Sequence, residues 1–227
     1  MNGAGETLNR NVARGEATRA RILDAAEVLF SQRGYDGTSM RDLAELAGVR
    51  MSLVHYHCGA KDQVLATAID RKLDDLLRFV RGSFDEARSA GRLTGVEDCV
   101  RAFVVPFLAI TADKDHELHN FVTMTSHLMS SYRVPEVKPS LMRLSAISEV
   151  FTTHLRLLRS DADQSTLLAG VYFIEAALVF MVQDPGFLDD LTASHHSSDH
   201  LDRMTESALK FFSAGLRALI GPTSQIR

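Results

Sequence analysis

Residues 165–182, STLLAGVYFIEAALVFMV, constrain this chain more than any other stretch. Wound as a helix, the segment is apolar on almost every side, with Glu175 as its one charged group, so it has no face to give to solvent. Such a helix must be covered all round. In a body of 227 residues the chain's own core covers one side, and a second copy of the chain is the expected cover for the other. On the last helix, Leu201, Met204, Ala208, Phe212, Leu216 and Leu219 form a long apolar stripe at helical period; the chain's own core would suffice to cover it, and so would a partner. Phe173 and Phe180 on the first segment, with Leu201, Met204, Ala208, Phe212 and Leu216 on the second, are the expected interface residues.

The rest of the pattern is also helical, and no alternating strand pattern of any length appears, so the fold class is all-α. Ile22, Ala25, Ala26, Leu29 and Phe30 mark a first helix from Glu16 to Arg33, closed by Gly34. After the turn GYDGTSM, Thr38 or Ser39 offers an N-cap oxygen to a short second helix ending at Gly48. The tight connection AGVR leads into a short third helix, about Arg50 to Tyr56. Two short helices around a glycine turn make a helix-turn-helix. From CGAK onward, punctuation near SAGRLTG, TADKDH, YRVPEVKPS, RSDAD and QDPGFLDDLTASHHSSD separates about six longer helices. Pro106 within AFVVPFLAIT predicts a bend rather than a helix end. The expected division is residues 1–62, an arm and helix-turn-helix domain, and residues 63–227, a larger helical domain.

Charge is distributed to match. Between Arg10 and Lys61 there are eight basic side chains against six acidic ones, a surplus of two in a chain whose net charge is −4. A mildly basic head on an acidic body suits a polyanion-binding domain joined to something else. The opening segment has no apolar core and does not read as a secretory signal, and the unbroken apolar runs FVVPFLAI and AALVFMV are too short to span a bilayer. The expectation is a cytoplasmic protein without a membrane partner, whose Cys58 and Cys99 are reduced thiols.

The stretch TRARILDAAEVLFSQRGYDGTSMRDLAELAGVRMSLVHYHCGAKDQVL resembles the DNA-binding domain of the TetR family of bacterial transcriptional regulators, without a gap, over about the first quarter of the chain. The resemblance implies that Arg50, Met51 and Ser52 open the recognition helix and face base edges in the major groove, where an arginine can grip guanine O6 and N7. It implies that Arg41 reaches bases or the backbone beside them, and that Thr38 or Ser39, His55, Tyr56 and Lys61 hold phosphates. Lys61 also lies near a helix N-terminus, whose free amides favour a phosphate. Three departures stand out: His55 and Cys58 replace the family's usual tyrosine and phenylalanine, and Arg50, Met51 and Leu53 replace smaller or more polar residues. For the larger part the resemblance implies a ligand cavity and a homodimer closed by the last two helices as a four-helix bundle. The implied function is a repressor released by a small-molecule effector, with a pseudo-palindromic operator as the DNA partner and no cofactor.

Several clusters carry chemistry on paper. His55, His57 and Cys58 are metal-ligating types, but residues two apart on a helix diverge, which argues against zinc. HELH at His116–His119 is one residue short of the H-E-x-x-H zinc motif. His116, Thr123 and His127 share one face of an expected helix with His119 at its edge, and HHSSDH is a polar loop. A metal or redox sensor using that face, that loop or Cys99 is the alternative on the same scaffold, as is a regulator without a small-molecule ligand. Glu175 is costly to bury unpaired, so Arg101, His154, Tyr172 or a ligand is its expected partner. Phe103, Phe107, His116, Thr123, Met124, His127, Tyr172 and Glu175 are the candidate cavity residues. No G-x-S-x-G elbow, phosphate-binding glycine loop or close carboxylate pair supports catalysis.

Overall fold

The computed structural model of the protein describes residues 3–183, 186–193 and 201–221. Its elements are helices joined by short turns, with no strand among the described residues. Helix α1 (Gly3–Arg33), α2 (Met40–Leu46) and α3 (Met51–Cys58) form the N-terminal head. Helix α4 (Lys61–Ser89) runs from the head into the body, which holds α5 (Val96–Ala112), α6 (His119–Leu128), a 3-10 turn (Met129–Ser131), α7 (Lys138–Arg143), α8 (Ser145–Leu158), α9 (Gln164–Gln183), α10 (Gly186–Leu191) and α11 (Leu201–Ile220).

The packed part of the head is built as the apolar spacing predicts, but α1 begins at Gly3 rather than at the expected Glu16, because the added turns carry no apolar stripe to mark them. Ile22, Ala26 and Phe30 of α1 are fully buried against Leu43 of α2 and Val54 of α3. Ser39 caps α2 reciprocally: its hydroxyl accepts from the Asp42 amide at 3.2 Å, and the Asp42 carboxylate accepts from the Ser39 amide at 2.8 Å. Gly48 has φ +64°, which lets the chain reverse between α2 and α3 at no steric cost.

In the body, α5 lies against α4, α8 and α11, and α9 packs on α6, α8 and α11. Helix α5 passes through Pro106 without ending there. At the crossing of α9 with α11, a Cβ on Gly170 would lie 2.4 Å from Leu216 Cδ1, so any larger residue here requires the Leu216 side chain to shift. Helix α9 corrects one expectation. Over its 20 residues it is apolar enough to cross a membrane by length and composition, with hydropathy 1.9, because Gly170, Tyr172 and Glu175 interrupt the apolar runs without lowering the average much.

The stripe on α11 corrects another. Ala208, Phe212 and Leu216, expected at an interface with a partner, are buried in the chain's own core, and Met204 is half-buried. Helical period identifies the shared face but not what lies against it. The outward faces belong to other residues: Leu168, Tyr172, Phe173 and Phe180 on α9, and Phe211 on α11, which is 77% exposed. Phe173 and Phe180 are thus on an open surface. The side chain of Leu201 and residues 194–200, with most of HHSSDH, lie outside the described residues.

Head and body are fastened through α4. Arg71 donates to Glu27 of α1 from Nε at 3.0 Å and to Asp24 from Nη2 at 2.8 Å. Glu27 is buried, and burial pushes its carboxyl above its ordinary value while Arg71 pulls it back. One residue earlier on α4, Asp70 pairs with Arg143 at the end of α7. Removing one member of a buried pair leaves an uncompensated charge, a loss reduced here by the partial exposure of Arg71. Arg71→Ala is expected to cost roughly 2 to 3 kcal/mol in urea denaturation, and adding Glu27→Gln is expected to restore much of it.

Candidate nucleic-acid interface and effector cavity

On the head, α3 turns Val54 and Cys58 inward and leaves Met51, Ser52, His55 and Tyr56 outward, with Arg50 exposed at its N-cap. Tyr56 is 81% exposed and meets the His57 ring edge-on at 4.9 Å between centroids. Arg41 is exposed on α2. Arg50, Met51, Ser52, His55, Tyr56 and Arg41 therefore all reach the surface. A hollow between α1 and α3, bordered by Arg14, Thr18, Arg19, Tyr56 and His57, extends this face with two further guanidinium-bearing positions. The basic count of the head hinted at them, but nothing in the sequence sets them beside α3.

Two expected phosphate contacts are corrected. Thr38 is 1% exposed, and its hydroxyl donates to the carbonyls of Gly34 at 2.9 Å and Leu29 at 3.2 Å. Its role is to close the turn after α1. Lys61 reaches back across the head, where its ammonium donates to the carbonyls of Tyr35 at 2.9 Å and Thr38 at 3.1 Å and lies 4.0 Å above the Tyr35 ring. It clips the same turn to α4. The Ser39 hydroxyl donates to Asp42 at 2.6 Å while it caps α2, and these bonds hold the Asp42 carboxyl below its ordinary value.

In the body, a cavity of about 110 Å³ opens between α5, α6, α8 and α9. Phe103, Phe107 and Glu175 line it, as expected. The other candidate residues do not. His116 precedes α6 rather than lying on it; its Nδ1 accepts from the Leu118 amide at 3.1 Å and its ring meets Phe79 edge-on. The expected face of His116, Thr123 and His127 is therefore broken, because α6 begins only at His119, whose Nδ1 is bonded to the Ile110 carbonyl at 3.0 Å. Thr123 and His127 are half-buried on α6 away from the lining, Met124 is packed in the core, and Tyr172 is 66% exposed on the outer face of α9. Val122, Thr125, Ser126, Ile147 and Ser148 line the cavity instead, small or apolar residues with no distinguishing signal.

Glu175 has a different partner from those expected. Ser148 donates to its Oε2 at 2.8 Å, while its Oε1 is buried with no hydrogen bond. Arg101 instead forms a two-pronged pair with Glu206 at 2.8 and 2.9 Å, and His154 stacks on Phe84. Burial pushes the Glu175 carboxyl above its ordinary value, with Ser148 opposing. Among the described residues, no three His, Cys, Asp or Glu side chains come together as a metal site. Cys99 is fully buried, and burial pushes its thiol far up, away from thiolate chemistry.

Residues 22–68 match the family model for bacterial regulatory proteins of the tetR family, and residues 101–215 match the model for a tetracyclin repressor-like C-terminal domain. The second match alone covers half of the chain. The chain belongs to the TetR family. This family consists of transcriptional regulators, not enzymes. The HTH-type transcriptional regulator TtgR of Pseudomonas putida is 35% identical over 86 residues, 37% of this chain and 41% of TtgR. The HTH-type transcriptional repressor Rv3405c of Mycobacterium tuberculosis is 40% identical over 65 residues, 29% of this chain and 35% of that protein. These relatives are thus matched over about four tenths of their length or less. In fold, the TetR-family chain is similar to the fatty acid degradation regulator FadR from Bacillus halodurans, with a TM-score of 0.60 at 16% identity over 88% of this chain and 96% of that one. HlyIIR, a hemolysin II transcriptional regulator, gives 0.53 at 17% identity over 85% and 97%.

The Glu175 carboxyl gives a stability signature for the cavity. Its folded-state pKa is raised, so only between the unfolded and folded values does the folded chain keep a proton that the unfolded chain has released. That stability is complete below the unfolded value and lost as pH rises through the folded one. Glu175→Gln is therefore expected to be more stable than the parent at pH 7.5, seen as a higher Tm. In calorimetry the gap is expected to close as pH falls toward 4.

Proposed function

We propose that this chain is a homodimeric repressor that binds a pseudo-palindromic operator and is released from it by a small-molecule effector. The observation that carries the reading is the pairing of an outward recognition face on α3 with an uncovered apolar face on α9 and α11 in the same molecule. Arg50 serves as the base-reading cation at the entry of α3, with Met51 and Ser52 beside it. Ser39, His55 and Tyr56 flank it as phosphate-side residues, Arg41 lies at the backbone edge, and Arg14 and Arg19 add non-specific attraction. The division at residue 62 then separates a DNA-reading head from the effector and dimerisation body. A second copy covers Phe173, Phe180 and Phe211 and sets the distance between two recognition helices. Such a regulator acts in the cytoplasm, where its operator is.

The effector reading draws on continuity. Phe103, Phe107 and Glu175 share a cavity with residues of α6, and α6 rests on α1 of the head. Leu144, also in the cavity wall, follows Arg143, the partner of Asp70 on α4. A ligand that prefers one setting of these helices shifts the population of head positions by its difference in affinity for the two states.

The experiment is selection of bound fragments from a random DNA pool with the purified full chain. The expected winner has two half-sites related by a two-fold axis, with centres about 10 base pairs or a multiple of this apart. Arg50→Ala is expected to relax the choice at one position of each half-site by about 1 to 3 kcal/mol. Lack of enrichment, or a single unpaired half-site, contradicts the proposal.

A further inference from the structure

The cavity beside Glu175 has a one-sided hydrogen-bonding chemistry. The Thr125 hydroxyl donates to the Val122 carbonyl at 2.9 Å, and the Ser126 hydroxyl donates to the Thr123 carbonyl at 2.8 Å. The Ser148 hydroxyl donates to Glu175 Oε2. Each hydroxyl hydrogen in the wall is thus already engaged, while Glu175 Oε1 is buried and receives none. No lysine, arginine or histidine lines the cavity. Arg101, the nearest sequence-based candidate for a counter-charge, is engaged by Glu206 on the outside of α5. The wall therefore presents acceptors and a carboxylate but neither a donor nor a cation, and the remainder is apolar, with Phe103 and Phe107 in contact at 5.3 Å between ring centroids.

A buried polar group left without a partner is costly, and a ligand that satisfies it gains selectivity over an analogue that cannot. An N–H donor carrying positive charge satisfies both deficits at once, through a charge-assisted hydrogen bond. The phenylalanine rings offer apolar cover and a favourable face to a cation. The volume of about 110 Å³ is smaller than the roughly 150 Å³ of an apolar cavity able to hold benzene, so a short branched chain is the size class. Met129, 37% exposed, is the most open residue of the wall and marks the way in.

We propose that this cavity takes a small alkylamine as its ammonium ion, the N–H donating to Glu175 Oε1 and the apolar part lying against Phe103 and Phe107. The proposal rests on the reading of this cavity as the effector site and names the class of effector. Glu175 is the specificity-determining residue, and Ser148 positions its carboxylate.

The test is isothermal titration of the full chain with isobutylamine, isobutanol and 3-methyl-2-butanone. The amine is expected to bind at least about tenfold more tightly than either neutral probe. In Glu175→Gln that preference is expected to disappear while the affinity for the alcohol changes little. Ser148→Ala, which keeps the carboxylate, is expected to retain the preference, so a loss in Glu175→Gln is not a general collapse of the cavity. If the alcohol or ketone matches the amine on the parent chain, or if Glu175→Gln keeps the preference, the proposal is overturned and the cavity remains an effector site for neutral molecules. If no probe binds, proposal and effector reading fall together. If the amine binds with the stated preference but leaves retardation of the selected operator unchanged, the ammonium site stands and the effector reading falls.

Discussion

Helix α9 has to be covered on two sides, and much of the molecule follows from that requirement. Leu167, Val171, Ile174, Leu178 and Val182 give it one apolar face, which α6, α8 and α11 cover within the chain. Leu168, Tyr172, Phe173 and Phe180 give it a second, which the chain leaves open. Gly170 lets α11 approach closely on the covered side, and Phe211 continues the open face across α11. Three large rings on one helix and a fourth on its neighbour are an area worth several kcal/mol if removed from water. In the proposed dimer a second copy would supply the same surface in self-complementary form, and its two-fold axis would dictate where the other recognition helix must be.

The connection from that interface to DNA is short. Helix α4 is continuous from Lys61 at the head to Ser89 in the body, so its tilt is shared by both. Lys61 fixes its start to the turn after α1, and Arg71 fixes its middle to Glu27 and Asp24. Asp70 faces the other way, to Arg143 beside the cavity wall. Neighbouring residues on one helix thus hold the head and the cavity side at once.

What the sequence made legible was local. The caps, the glycine turn and the apolar period of α1 to α3 are written within a few residues of where they act, and the packed head follows them, while the extension of α1 back to Gly3 has no apolar period to mark it. The surface positions of Arg50, Met51, His55 and Tyr56 follow from a single helical phase anchored by Val54. Thr38 and Lys61 were misread because their partners are set by tertiary structure: the Lys61 ammonium bonds a carbonyl 26 residues away. The His116 face failed at a helix start that carries no signature, since Leu118, the N-cap of α6, makes no side-chain cap bond. The α11 stripe was recognised as a stripe but assigned to the wrong neighbour, because period 3.6 encodes a shared face and not its cover. Ser148, which meets Glu175 across 27 residues, had no pattern to betray it.

The central claim is that a second copy of this chain covers the open face of α9 and α11 and thereby spaces the recognition helices. Sedimentation velocity of the full chain at micromolar concentration, beside the Phe173→Glu, Phe211→Glu double variant, tests it most directly. Both positions are exposed, so the variant is expected to keep its helical content and thermal transition. The account predicts twice the chain mass for the parent and the single chain mass for the variant. A parent that sediments as a single chain, or a folded variant that still sediments as two, would contradict it.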